Sequence, residues 1–136
     1  DTIPNFYENS IKFTFVRNPY TRILSEYFWL TRKNTFNPQN FHTWLVKFLS
    51  KIDNDHKIPQ TDFIPNDINF IGKTESMNQD LKHFIKEYNL PFTVGDKSHN
   101  KSHMDKSKLI PLLFDESKLL IKKVYELDFV NFNYEF

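Results

Sequence analysis

A change from strand to helix near the start of the chain constrains the fold more than any other feature. The segment 11–16 is apolar, β-branched and aromatic, which is typical of a largely buried strand in an α/β sheet. The strand is predicted to end near Arg17. Asn18 is a favoured helix cap and Pro19 a favoured first helical residue, so a helix is predicted to begin at once.

The same order of elements recurs further along the chain. The apolar run 68–71 predicts a second strand, and Gly72, Lys73 and Thr74 turn it into another helix, with Thr74 as the cap. Two successive strand-turn-helix units imply an α/β fold with a parallel sheet flanked by helices. Apolar residues at helical spacing predict four helices: one from Pro19, one over about 40–52, one after Thr74 and one capped by Asp115.

Size and charge fit a single domain without a charged macromolecular partner. The 136 residues, 39% of them hydrophobic and 15 of them Phe, can bury one core but hardly two. A formal charge of +1 provides no overall field for nucleic acid or an anionic membrane, so any anion site has to be local. We therefore predict one domain, 1–136, with no nucleic-acid partner and no membrane span in this chain.

Scarce residue types exclude whole classes of site. The chain has no Cys, which excludes disulfides, thiolate zinc sites and Cys nucleophiles and favours a reducing, cytoplasmic compartment. Gly72 and Gly95 are its two glycines, so a dinucleotide fingerprint and a Walker-type phosphate loop are excluded. His99 and His103 lie four residues apart without a third ligand, and we predict no metal site.

Arg17 is the first candidate for an anion contact. Ligands of open parallel sheets bind beyond the carboxyl ends of the strands, where the next helix also points its positive end. The guanidinium of Arg17 can hold two phosphate oxygens, and Ser25 can add a hydroxyl donor. The alternatives are an arginine paired with a carboxylate and a serine bonded to a carbonyl of its own helix. Arg22 is predicted to be solvated and to pair with Glu26.

The segment 13–27, FTFVRNPYTRILSEY, resembles the 3′-phosphate-binding motif of sulfotransferases that use 3′-phosphoadenosine 5′-phosphosulfate (PAPS). Residues 67–76, 99–102 and 124–134 resemble further blocks of the carbohydrate branch of that family, of Golgi and bacterial type, in the correct order. The resemblance implies a P-loop-NTPase-like fold and transfer of a sulfuryl group from PAPS to a hydroxyl of a carbohydrate. Adenosine 3′,5′-bisphosphate is then the product, and neither a metal nor a redox cofactor is needed.

The resemblance also implies roles for particular residues. Arg17 and Ser25 bind the 3′-phosphate, while Lys101 and Ser102 belong to a loop that closes over the nucleotide, with a solvated loop as the alternative. His56 stands where some carbohydrate sulfotransferases have a histidine, and an imidazole suits the removal of a proton from the acceptor hydroxyl. His56 is therefore the candidate catalytic base, and an exposed loop histidine without a role is an equal alternative.

One part of the family pattern has no counterpart in this sequence. The family opens with a strand and a lysine-containing loop that holds the 5′-phosphosulfate, and residues 1–10 contain no Lys or Arg. We therefore expect the chain to match the C-terminal two-thirds of the usual domain, with the N-terminal loop missing. A non-catalytic or degenerate module that binds PAPS or adenosine 3′,5′-bisphosphate is the alternative to an enzyme.

Overall fold

The computed structural model describes residues 10–51, 57–95 and 105–136. The strands in these residues are β1 (Phe13–Val16) and β2 (Phe70–Lys73). The α-helices are α1 (Pro19–Thr31), α2 (Pro38–Ser50), α3 (Met77–Glu87), α4 (Asp115–Val124) and α5 (Glu126–Asn131). Short 3-10 segments cover Gln60–Phe63, Thr74–Ser76 and Lys106–Leu112. The described part of the chain is thus α/β and mostly helical, with a small parallel sheet.

These elements belong to two compact units. The described residues 10–16 and 64–95 form the first unit, and residues 17–51, 57–63 and 105–136 form the second. The first unit holds both strands and α3, and the second holds the other four helices. The single domain expected from the sequence stays a prediction.

The sheet of the first unit consists of β1 and β2 in parallel, with Val16 opposite Lys73. Both strands therefore end at the same edge, as the sequence predicted for a strand-turn-helix repeat. Phe15 lies opposite Gly72, and a Cβ on Gly72 would stand 2.4 Å from a carbon of the Phe15 ring. Only glycine fits there without a shift of the ring. β1 is less buried than predicted, because Phe13 is 51% exposed.

The turn after β2 differs from the prediction. β2 begins two residues later than the run 68–71, and Thr74 opens a 3-10 segment instead of capping a helix. Asp80 fastens this turn, because its Oδ2 accepts hydrogen bonds from the Lys73 N–H at 2.7 Å and from the Ser76 hydroxyl at 2.9 Å. Phe84 then packs α3 onto the sheet, with its ring centroid 4.8 Å from that of Phe13.

The second unit is built around α1. Asn18 caps α1 as predicted, since its Oδ1 accepts the Tyr20 N–H at 2.9 Å, and Pro19 is the first helical residue. α2 and α4 and the 3-10 segment Lys106–Leu112 pack against α1. The buried core contains Tyr20, Ile23, Leu24, Tyr27, Phe41, Leu45, Phe48, Leu113, Ile121, Tyr125 and Phe129. The core of this unit is therefore mainly aromatic and aliphatic.

Candidate functional site

Arg17 directly follows β1, and its backbone is held on both sides by one side chain. The Arg17 N–H donates to Gln60 Oε1 at 3.0 Å, and Gln60 Nε2 donates to the Arg17 carbonyl at 2.8 Å. The Gln60 amide therefore pairs with Arg17 much as a residue of a neighbouring strand would. These bonds fix the point from which the Arg17 side chain extends.

Asp128 on α5 holds Gln60 in turn. This carboxylate is 0% exposed. Its Oδ2 accepts the Gln60 N–H at 2.8 Å, and its Oδ1 accepts the Thr61 N–H at 2.8 Å and the Thr61 hydroxyl at 2.6 Å. Both oxygens are thus used, as a buried carboxylate requires if its desolvation is to be offset. A continuous chain of hydrogen bonds runs from α5 to Arg17.

Arg22 is not the solvated helix residue that the sequence predicted. Its side chain is 16% exposed, and one guanidinium nitrogen lies 3.9 Å from Asp128 Oδ2. The guanidinium carbon also lies 5.5 Å from the centre of the Tyr125 ring. Burial raises the pKa of the Tyr125 hydroxyl, which therefore stays protonated beside these charges. Arg22 partly balances the buried charge of Asp128.

Ser25 differs from Thr21 and Thr31, the two threonines of α1. The Thr21 hydroxyl donates to the Asn18 carbonyl at 3.0 Å, and the Thr31 hydroxyl donates to the Tyr27 carbonyl at 2.6 Å. The Ser25 hydroxyl is buried and has no hydrogen-bond partner among the described residues. The alternative of a serine bonded to its own helix is therefore wrong. A buried hydroxyl without a partner costs about 1–3 kcal/mol, which a ligand oxygen would relieve.

Lys106 is a cation of the second unit that no sequence pattern indicated. It opens the 3-10 segment Lys106–Leu112, which packs against α1. The segment is anchored by Asp105, whose Oδ1 accepts the Ser107 N–H at 3.1 Å. Burial, followed by the positive charge of Arg17, lowers the pKa of Lys106. Two positive charges that influence each other in this way favour an anion between or beside them.

Three of the predicted site residues lie outside the described residues. They are His56, Lys101 and Ser102, and the pair His99 and His103 lies outside them as well. Within the described ranges, no group of three His, Asp or Glu side chains is placed to hold a metal ion. None of the helices formed by the described residues combines the length and the apolar character that a membrane crossing requires.

Comparison with known proteins adds one finding to this geometry. A model of the sulfotransferase family matches residues 1–135. Because the match covers almost the whole sequence, the chain belongs to the sulfotransferase family, and the resemblance seen in its motifs is confirmed. No curated protein and no solved structure matches the chain. Family membership supports sulfuryl transfer as the general activity and implies an acceptor substrate.

Proposed function

We propose that the protein transfers a sulfuryl group from PAPS to a hydroxyl of a carbohydrate. The observation that carries the proposal is Arg17, which follows β1, precedes the first residue of α1 by two positions and lies near the charge of Lys106. In open parallel sheets, the residues between the end of a strand and the start of the next helix commonly bind phosphate groups. A single P-loop-NTPase-like domain over residues 1–136 is part of the same proposal.

Three side chains of the second unit share the work of holding the 3′-phosphate of the donor. Arg17 binds two of its oxygens through the planar guanidinium, and Lys106 adds a second positive charge. The buried Ser25 hydroxyl donates to a third oxygen and so gains the partner that it lacks among the described residues. A doubly charged phosphate also removes the repulsion between Arg17 and Lys106.

The PAPS donor supplies an activated sulfate on a phosphate leaving group. The acceptor oxygen forms a bond to sulfur as the bond between sulfur and the leaving phosphate oxygen breaks, and the acceptor proton passes to a base. His56 is the proposed base, and Lys101 and Ser102 are proposed as further residues that bind the nucleotide. The task of Arg17 and Ser25 is to fix the nucleotide so that sulfur, acceptor and leaving oxygen lie in line.

Arg17→Ala tests the phosphate contact directly. We expect the wild-type protein to bind adenosine 3′,5′-bisphosphate more tightly than AMP, which lacks the 3′-phosphate, in calorimetric titrations. Arg17→Ala is expected to reduce this preference on the order of 10–100-fold, because a charged hydrogen bond contributes about 1.5–3 kcal/mol. Arg32→Ala is the matched control, since Arg32 is exposed just after α1 and stacks on Trp29.

The outcomes separate the possible functions. Equal affinity of the wild-type protein for both nucleotides, or a preference that survives Arg17→Ala, contradicts the proposed site. A preference without transfer of labelled sulfate from PAPS to any of a panel of saccharides indicates a nucleotide-binding module instead of an enzyme. Transfer to a non-sugar hydroxyl alone would overturn the carbohydrate acceptor and leave the rest of the proposal standing.

A further inference from the structure

We propose that Asp128, acting through Gln60, is a positioning residue that sets Arg17 for its contact with the 3′-phosphate. This inference rests on the proposed function, because it concerns the same anion site. It adds two residues to that site, neither of which needs to touch the ligand.

The first step is the hold of Gln60 on Arg17. Two hydrogen bonds from one side-chain amide, at 3.0 and 2.8 Å, join the N–H and the carbonyl of Arg17. Together they fix both the location and the tilt of this peptide segment. An arginine side chain has many rotamers, so an anion gains affinity when the backbone that carries the guanidinium is already in place.

The second step is the hold of Asp128 on the segment that carries Gln60. The carboxylate accepts hydrogen bonds from the N–H groups of two consecutive residues, Gln60 and Thr61, one on each oxygen. It also accepts a hydrogen bond from the Thr61 hydroxyl. An asparagine has a single acceptor oxygen and would point its amide hydrogens at one of these donors. The pattern therefore requires an aspartate and not merely a polar residue of the same size.

The direction of this hydrogen-bond network indicates its role. A buried charge is weak evidence for stability, because an apolar core of the same volume often serves as well. Asp128 is fully buried and close to Arg22, yet its hydrogen bonds run towards Arg17 and not into the core. A network that ends on the backbone of a phosphate-binding residue is what preorganisation of that residue requires.

Gln60→Ala is the deciding variant, because it removes both bonds to Arg17 and buries no uncompensated charge. We expect the ratio of the dissociation constants for AMP and adenosine 3′,5′-bisphosphate to fall on the order of tenfold, since small misplacements of a binding group are costly. The affinity for AMP itself should not change. Gln39→Ala is the control, because Gln39 is exposed on α2 and its side-chain amide donates to Thr43, four residues away on the same helix.

Two further measurements separate positioning from general damage. If Gln60 had a merely structural role, Gln60→Ala would weaken the binding of both nucleotides by the same factor. The ratio of their dissociation constants would then stay unchanged, and the inference would be overturned. In an Arg17→Ala background, Gln60→Ala should have no additional effect on the ratio, because Gln60 acts through Arg17. If Gln60→Ala lowered the ratio in the Arg17→Ala background as much as it does in the wild-type protein, the inference would also be overturned.

Asp128→Asn extends the test to the outer member of the network. It should lower the same ratio, again without a change in the affinity for AMP. If this variant does not fold, Gln60→Ala decides alone. A wild-type protein that shows no preference for the 3′-phosphate defeats the proposed function itself, whereas a preference lost in Arg17→Ala but kept in Gln60→Ala defeats the positioning inference alone.

Discussion

The two parallel strands end opposite each other, but the backbone at each exit is held in a different way. At the end of β2, the Lys73 N–H donates to Asp80, seven residues further along the chain. After β1, the Arg17 N–H donates to Gln60, which is 43 residues away. Gln60 in turn donates to Asp128, another 68 residues along. The first arrangement is local, and the second depends on three distant parts of the chain.

This difference separates a turn that its own sequence encodes from one that the tertiary structure has to build. The Asp80 turn can form whenever β2 and the start of α3 are together, because all of its partners lie within one short segment. The position of Arg17 requires that α5 and the segment Gln60–Phe63 be docked. Sites that need precise geometry are commonly supported by such long-range contacts.

Asp128→Ala should cause the largest loss of stability. It should disturb the exit of β1, which depends on long-range contacts, and leave the exit of β2 intact. The change leaves the Gln60 and Thr61 N–H groups and the Thr61 hydroxyl without their acceptor, and it removes the carboxylate beside Arg22. Breaking a buried charged network by removing one partner costs about 3–5 kcal/mol, and we expect a loss of this size in urea unfolding.

Asp62→Ala is the control for that measurement, because Asp62 is exposed in the same 3-10 segment. Its effect should stay within about 0.5 kcal/mol, as for most surface substitutions. If Asp128→Ala lowered the free energy of unfolding by less than about 1 kcal/mol, the long-range contacts at the exit of β1 would contribute no more to stability than the local contacts at the exit of β2.

Asp80→Ala should give an intermediate effect and should leave the nucleotide preference unchanged. It removes the acceptor of the Lys73 N–H and of the Ser76 hydroxyl, and two such bonds contribute about 1–2 kcal/mol of stability at a partly exposed turn. Unfolding in urea gives the loss, and Gln79→Ala, at an exposed neighbouring position, is the control. If Asp80→Ala lowered the preference for the 3′-phosphate as far as Gln60→Ala does, the contrast between the exits would disappear.

The sequence predicted those features whose causes are local. Asn18 and Pro19 act within one turn, so the cap and the start of α1 were predicted and are confirmed. α3 ends at Glu87, and Asn89, two residues beyond, has the left-handed φ of 51° that helix ends favour. Thr74 was predicted wrongly as a cap, because the Asp80 side chain reaches back to Lys73 and Ser76 instead.

Arg17 and Ser25 of the candidate site were predicted from the sequence, whereas the residues that support Arg17 were not. Arg17 follows from the strand exit, but its support by Gln60 requires that two distant segments meet, which no spacing in the sequence encodes. Arg22 was wrongly predicted to be solvated for the same reason, since Asp128 and Tyr125 bury it from elsewhere in the chain. The hydrogen-bond network, and not the motif alone, defines the site.

Lys106 allows the smallest and most specific prediction about the exit of β1. Its pKa in the folded protein lies below the ordinary value of 10.5, because of burial and then the charge of Arg17. Between the lowered pKa and 10.5, the unfolded chain therefore binds more protons than the folded protein does. Across that pH window, the contribution of Lys106 to the free energy of unfolding rises with pH. Below this pH window, the protonated Lys106 side chain destabilises the folded state.

Lys106→Met should therefore be more stable than the wild-type protein at neutral pH, and this advantage should shrink as the pH approaches 10.5, measured as the difference in urea midpoints. Lys108→Met is the control, because Lys108 is exposed two residues away on the same 3-10 segment. Adding adenosine 3′,5′-bisphosphate at neutral pH should make the wild-type protein more stable than Lys106→Met, because the phosphate contacts both cations and removes the repulsion between them. An advantage for Lys106→Met that persists in the presence of the nucleotide would show that Lys106 is not part of the anion site.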